Sequence, residues 1–265
     1  MKYSIITVNY NNKDGLRKTI ESVIHQTYRD FEYIVIDGGS TDGSAEVLKE
    51  YDKDIDYWVS EPDKGIYNAM NKGIVQAHGD YLNFMNSGDC FYANDILEKV
   101  TSYQSQADII TGRDYHYSVE KKVGHVSIQP TYLSMVTFFT STLDHQSSFI
   151  KHELFDNSPY REDLKLVSDW AFFLEKIVIE GKNVQFIPVI VCFRENGGIT
   201  WQQYDVNLME RKRYLQQLMP PGIYDDYLTL SLLDKETLFK LFHLCKIPKA
   251  KKLLTFAIKA IFRLI

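Results

Sequence analysis

The stretch Tyr3-Ser4-Ile5-Ile6-Thr7-Val8-Asn9-Tyr10-Asn11-Asn12 reads as a buried strand that ends abruptly in amides and a tyrosine. The same grammar recurs twice. Phe31-Glu32-Tyr33-Ile34-Val35-Ile36-Asp37 runs into Gly38-Gly39-Ser40-Thr41-Asp42, and Tyr81-Leu82-Asn83-Phe84-Met85 runs into Asn86-Ser87-Gly88-Asp89. Apolar runs of this length without alternation suit strands covered on both faces, as in a parallel sheet. Ligands of open α/β sheets bind outside the carboxyl ends of the strands, so the three polar clusters are expected to meet at one crevice.

Working outward, helical spacing of Leu16, Ile20, Val23 and Ile24 predicts a helix over 14–26, with further helices over 44–53, 66–77 and 96–103 and a short strand over 57–60. Strand and helix in alternation imply right-handed crossovers and a mostly parallel, Rossmann-like sheet flanked by helices. A strand over 107–111 and a hairpin over 114–126, turning at Glu120-Lys121-Lys122, follow. A helix over 166–180 ends at Gly181, where a left-handed residue is wanted, before a strand over 184–193. From Tyr204 onward only helical patterns remain, broken at Pro220-Pro221-Gly222 and Pro248, which divides the chain into 1–203 and a helical extension, 204–265.

The 265 residues carry 30 basic and 35 acidic side chains, a balance that argues against a broad cationic face for nucleic acid. The tail departs from this average. Lys246, Lys249, Lys251, Lys252, Lys259 and Arg263 lie in the last 20 residues without one acid, so the preceding 245 residues hold 24 basic against 35 acidic groups. Over 249–265 an apolar face (Leu253, Leu254, Ile258, Ile261) opposes the basic residues, the pattern of a helix lying on an anionic membrane surface. Cys90, Cys192 and Cys245 are scattered, indicating neither disulfides nor a zinc site. With no signal-peptide pattern and no bilayer-spanning apolar run, the body is expected in the cytoplasm, peripheral on the inner face of the cell membrane.

Residue types then suggest chemistry. Asp37 closes a strand just before two glycines, where backbone approaches a ligand closely, and its carboxylate suits a base N–H or a ribose hydroxyl. Asp89 follows three small residues, leaving room for a hard divalent cation and a diphosphate. Asp63 and Lys64 enter the helix over 66–77, whose N-terminus attracts phosphate. Each has a plainer alternative as a turn or cap residue. Shared position at one sheet edge favours the site.

The strings SIITVNYN from Ser4, VIDGGSTDGS from Val35, SEPDKGIYNAMNKGI from Ser60 and GDYLNFMNSGD from Gly79, in this order and spacing, resemble glycosyltransferase family 2, in particular small bacterial surface-polysaccharide transferases with the GT-A fold. The resemblance implies inverting sugar transfer from a nucleotide diphosphate donor of the UDP-sugar type, with Mn²⁺ or Mg²⁺, to a saccharide or lipid-linked acceptor. It further implies that Val8 and Tyr10 border the base, that Asp37 binds uracil or ribose, and that Asp63, Lys64 and Asn71 line the donor. Asp89 would hold the metal; apart from the resemblance, His145 is of a residue type that suits a metal or diphosphate contact, its alternative being a hydrogen-bonded structural histidine. Asp169 would be the catalytic base, with Glu162 and Asp163 as fallbacks, and Gly197 and Gly198, helped by Arg194, would receive the diphosphate. Trp170 and Trp201 are candidates for stacking on an acceptor sugar. Two positions depart from the family: Asn86 and Gly88 leave Asp89 as the sole carboxylate of its motif, and Asn68 stands where the branch often has Asp. A nucleotidyltransferase and an idle sugar-nucleotide binder are the alternative classes.

Overall fold

The computed structural model describes residues 2–130, 133–195, 203–233 and 235–261. In chain order the strands are β1 (Tyr3–Asn9), β2 (Phe31–Asp37), β3 (Tyr57–Ser60), β4 (Tyr81–Phe84), β5 (Cys90–Phe91), β6 (Ile109–Ser118), β7 (Val123–Val126), β8 (Ser148–Lys151) and β9 (Val184–Glu195). The helices are α1 (Lys13–Ile24), α2 (Ser44–Glu50), α3 (Ile66–Gln76), α4 (Ile96–Ser102), α5 (Met135–Thr140), α6 (Ser168–Phe173), α7 (Tyr204–Leu218), α8 (Pro221–Ser231), α9 (Lys235–Cys245) and α10 (Pro248–Ile261). One sheet runs β3-β2-β1-β4-β8-β6-β9-β5, with β7 paired to β6.

The first four strands in that order are parallel, as the alternation of strands and helices requires. Beyond them the sheet is mixed. β8 is antiparallel to both β4 and β6, β6 is parallel to β9, and β5 is antiparallel to β9. The pieces expected over 107–111 and 114–126 merge: β6 is one bulged strand that turns into β7. The helix expected over 166–180 begins as α6 and widens into a π-type turn at Leu174–Ile179, ending where Gly181 adopts φ +70°.

Alternation along each strand divides the core in two. Ile6, Val8, Ile34 and Ile36 point to one face, packed against Tyr67 and Met70 of α3 and against α6. Tyr3, Ile5, Tyr33 and Val35 point to the other, covered by Leu16 and Ile20 of α1, Val47 of α2 and Leu97 of α4. Tyr214, Leu215 and Met219, with Tyr224 of α8, belong to the first cluster, so α7 and α8 share the core of the sheet.

Register brings Asn9, Asp37 and Ser60 side by side at the carboxyl ends of β1, β2 and β3. Asp37 is fully buried and joins them. Its Oδ1 accepts from Asn9 Nδ2 (2.7 Å) and Ser40 Oγ (2.5 Å), and its Oδ2 from Ser60 Oγ (2.6 Å) and the Ser40 N–H (2.9 Å). Gly39, at φ +77°, turns the chain so that Ser40 returns to this carboxylate, and a β-carbon there would lie 3.0 Å from Pro62 N. The third cluster is attached by backbone: Met85 N–H donates to Ile6 O (2.9 Å) and Ser87 N–H to Val8 O (3.1 Å).

Burial pushes the Asp37 carboxyl up, but the hydrogen bonds from Ser40, Ser60 and Asn9 outweigh it and hold its pKa below the ordinary value. A depressed carboxyl pKa contributes stability above the unfolded value and loses it as pH falls through the folded one. Asp37→Asn places an amide against protein donors, and is expected to cost about 2–3 kcal/mol, roughly 5–10 °C in Tm at neutral pH. The variant should also lose less stability on acidification than the wild type. Thermal denaturation from pH 7 to pH 3 checks both, and an unchanged Tm at pH 7 would remove the latch from the account.

Candidate active site

Two groups of side chains line the crevice above this edge. The first surrounds Gly38. Tyr10, 68 % exposed, lies past the end of β1, and Asp63 comes over from the loop before α3. Asp63 Oδ1 accepts from the Gly65 N–H at 2.8 Å, while Oδ2 accepts no hydrogen bond among the described residues. A β-carbon on Gly38 would lie 2.4 Å from that Oδ2 and 3.2 Å from the Tyr10 ring. Gly38 is therefore glycine because Asp63 occupies its side-chain space. An exposed aromatic face beside a free carboxylate oxygen matches a heterocycle that stacks and donates an N–H.

The second group is built around Asp169, in the first turn of α6. Its Oδ1 accepts from Tyr67 Oη (2.7 Å) and its Oδ2 meets His145 Nδ1 (2.9 Å). With the proton on Nδ1, the imidazole donates to Asp169 and its Nε2 accepts from Asn86 Nδ2 at 3.1 Å. Burial raises the Asp169 carboxyl, but the hydrogen bonds from His145 and Tyr67 bring it below the ordinary range, so it is ionised at neutral pH. Tyr67, buried against that charge, has its pKa driven far up and stays a donor.

Gln146, the neighbour of His145, donates to Asp89 Oδ2 at 2.9 Å. Burial raises the Asp89 pKa more than Gln146, Arg194 and His145 lower it. Beside it, Arg194 lies between Asp114 (3.1 Å) and Asp144 (2.7 Å). Both Asp114 oxygens are buried without a geometrically sound hydrogen bond, and burial plus the Asp144 charge push its pKa well up. Asp114, His116 and Asp144 each offer a ligand atom within 4.8 Å of the others.

Residues 4–164 match the family model described as glycosyl transferase family 2. The chain belongs to that family. Over 181 residues it is 34 % identical to an uncharacterised glycosyltransferase of Mycobacterium tuberculosis, covering 66 % of this chain and 69 % of the relative. Its fold is similar to that of S. aureus TarS, with a TM-score of 0.63 and 17 % identity over 88 % of this chain; it spans only 43 % of TarS, whose residues 1–349 are also known in complex with UDP-GlcNAc. A mannosyltransferase of Pyrobaculum calidifontis, in complex with GDP-Man and Mn²⁺, is similar over the whole chain, with a TM-score of 0.65, 16 % identity and 81 % of that chain covered. The chain is thus a glycosyltransferase with a GT-A-like fold.

Within this family member several expected roles change hands. The four lone-pair positions of Asp37 are filled by protein donors, so it holds the strand ends together and Asp63 faces the crevice instead. Val8 is 6 % exposed and its side chain belongs to the core, leaving Tyr10 alone at the rim. The Asn71 amide is consumed by Tyr160, donating to its carbonyl (2.8 Å) and accepting from its N–H (2.9 Å), and by Glu162 (3.1 Å), so it anchors the 160–162 loop and does not face a donor. Both ring nitrogens of His145 are engaged, by Asp169 and by Asn86, the arrangement of a hydrogen-bonded structural histidine. Lys64 is exposed, its backbone N–H donating to Asn68 Oδ1 and its charge helping to lower the Glu162 pKa. Arg194 is paired with two carboxylates, and Trp170 is buried in the core, donating to the Phe138 carbonyl at 2.9 Å. Gly197, Gly198 and Trp201 lie outside the described residues. Asn68 donates to Glu162 at 3.0 Å, and an Asp there would oppose that carboxylate.

A divalent cation fits the remaining donors. Asp114, His116 and Asp144, whose ligand atoms lie within 4.8 Å of one another, offer the oxygen and imidazole donors that Mn²⁺ accepts, and Asp89 lies on the same side of the crevice, held by Gln146. Sequence reading missed Asp114, Asp144 and Gln146 because they reach Asp89 only through the β6–β8–β9 half of the sheet.

Gly38→Ala should move the flexible end of Asp63 and leave the backbone in place. A loss of about tenfold or more in UDP affinity by calorimetry is expected, with less than about 1 kcal/mol lost in stability. Equal UDP affinity in the variant would show that Asp63 does not face the nucleotide.

Proposed function

We propose that this glycosyltransferase moves a sugar, with inversion, from a nucleoside diphosphate donor of the UDP-sugar type to a hydroxyl of a saccharide or lipid-linked acceptor in surface-polysaccharide synthesis. The observation that carries the reading is the partly buried, ionised Asp169, clamped by Tyr67 and His145 one residue from the Gln146–Asp89 contact. The transfer unit is residues 1–203, to which the extension from Tyr204 lends part of its core.

The base of the donor stacks on Tyr10 and gives an N–H to Asp63 Oδ2. Asp169 accepts the proton of the acceptor hydroxyl as that oxygen attacks, while the nucleoside diphosphate departs from the opposite face. His145 and Tyr67 fix the direction of its two oxygens, so no reorganisation is needed as the proton arrives. A divalent cation held by Asp89, with Asp114 and Asp144 near, would supply charge compensation for the departing diphosphate.

Asp169→Asn is expected to lower kcat by about 10²–10⁴ with UDP affinity kept. Asp89→Ala should abolish the increase in Tm that Mn²⁺ gives the UDP complex. Because the Asp169 pKa is lowered, the acid limb of kcat/KM that it sets falls below the ordinary carboxylate range. An acid limb near neutrality that vanishes in Asp169→Asn would contradict this assignment, as would wild-type turnover in that variant.

The extension is proposed to lay its last helix on the anionic inner face of the cell membrane. No helix among the described residues is long and apolar enough to cross a bilayer. α10 buries no residue; Leu253 is 70 % and Phe256 74 % exposed, alongside Lys249, Lys251, Lys252 and Lys259. Basic residues near such a surface add about 1 kcal/mol each, and salt screens them. Vesicles containing phosphatidylglycerol should co-sediment the protein at low salt and release it at 1 M NaCl, and neutral phosphatidylcholine vesicles should retain far less. Equal binding to both would exclude an electrostatic anchor.

A further inference from the structure

A cavity of about 490 Å³ opens between α5, α7 and α8, away from the Tyr10–Asp63 group. Phe138, Phe139, Leu215, Tyr224 and Leu228 make most of its wall apolar. Arg211 and Lys212 also line it, and no acidic residue among the described residues does. This is an unusual place for a guanidinium.

Arg211 is held by its position on α7. Asn207, Arg211, Tyr214, Leu215 and Leu218 recur at helical spacing on the face turned to the core, so the arginine occupies what the pattern makes an apolar position. Its guanidinium carbon sits 5.1 Å from the centre of the Trp170 ring, and its Nε is buried without a hydrogen-bond partner. Among the described residues it forms no salt bridge. Burial lowers its pKa, and the charge of Asp169 opposes that, which puts the guanidinium in electrostatic reach of this carboxylate. A buried donor with no acceptor is costly unless a ligand supplies one.

We propose that this cavity is the acceptor site, and that the acceptor is an amphiphile whose apolar chain fills the aromatic-lined space while its phosphate or diphosphate pairs with Arg211. The inference rests on the glycosyl-transfer reading and deepens it by naming the acceptor class. The wall of the cavity includes Phe138, whose carbonyl receives the Trp170 indole N–H, so the cavity abuts the α6 turn that carries Asp169. An anion at Arg211 would bring the sugar it bears to the side of the cavity next to α6, where Arg211 meets Trp170. Charge complementarity selects phosphate over a neutral glycan, because a neutral glycan leaves the guanidinium unpaired and presents hydroxyls to aromatic walls. Lys212 adds a second positive charge at the exposed rim, where it favours a diphosphate.

The probe is n-decyl phosphate below its micelle concentration, titrated calorimetrically into wild-type protein, Arg211→Met and Arg211→Lys, with n-decyl maltoside and inorganic phosphate as controls. Decyl phosphate is expected to bind the wild type more tightly than either control, to bind Arg211→Met about tenfold or more weakly, and to recover part of the loss in Arg211→Lys. The Tm of ligand-free Arg211→Met should equal or exceed that of the wild type, since the substitution removes an unpaired buried cation of similar volume. Equal affinity in wild type and Arg211→Met overturns the proposal. So does a wild-type preference for decyl maltoside, or a fall in the Tm of Arg211→Met, which would make Arg211 a structural stack on Trp170. UDP is titrated into the wild type in parallel: absence of UDP binding refutes the transferase reading, whereas UDP binding without decyl phosphate binding refutes the acceptor site alone.

Discussion

A single carboxylate, Asp37, ties three strand ends, and the crevice exists because that tie is complete. Parallel strands deliver Asn9, Asp37 and Ser60 to one level, but their carboxyl ends leave polar groups that water would otherwise separate. Four donors converging on one buried charge close that edge. The turn that brings Ser40 back requires Gly39 in a left-handed conformation, and the tight return leaves Gly38 bare beneath Asp63. One motif thus separates two tasks: the carboxylate inside it is structural, and the one it exposes comes from another loop.

That separation explains which parts of the molecule were legible in the sequence. Strand ends, crossover helices and the edge where they meet follow from periodicity and small residues, so β1, β2, β4 and α1 to α4 fall where expected. Asp169 also lies in the crevice, because its position in the first turn of a helix is a local property. The expected roles of Asp37 and His145 rest on residue type and that of Asn71 on the family resemblance, and neither determines which donors reach a side chain. The partners that decide their roles, Ser60, Tyr160 and Asp169, lie 23, 89 and 24 residues away in the chain. Arg211 is different. Its helical spacing with Tyr214 and Leu215 placed a charge on a core face, a signal present in the sequence and not taken up.

The amide at position 68 fits the same logic. Asn68 and Asn71 both donate to Glu162, which lowers its pKa and fixes the loop leading to Arg161 and α6. A second carboxylate on α3 would repel Glu162 and loosen the segment that leads to Asp169. A departure from the family pattern is thereby compensated by a carboxylate on a different element, with the network as a whole retaining one negative charge.

Electrostatics finally constrain what can share the crevice. Asp89, Asp114 and Asp144 surround one guanidinium, that of Arg194, and burial raises the pKa of the first two. A diphosphate brought to this edge adds negative charge to a region already short of cations, at a separation where like charges interact strongly in a partly dry site. Protonation of Asp89 and Asp114 relieves the repulsion but removes hard ligands, whereas a divalent cation relieves it and keeps them. Arg194 cannot substitute, since both its neighbours already hold it. A divalent cation at the proposed metal site would offset the charge of an anionic donor and keep the carboxylates ionised, so donor and metal would reinforce each other there.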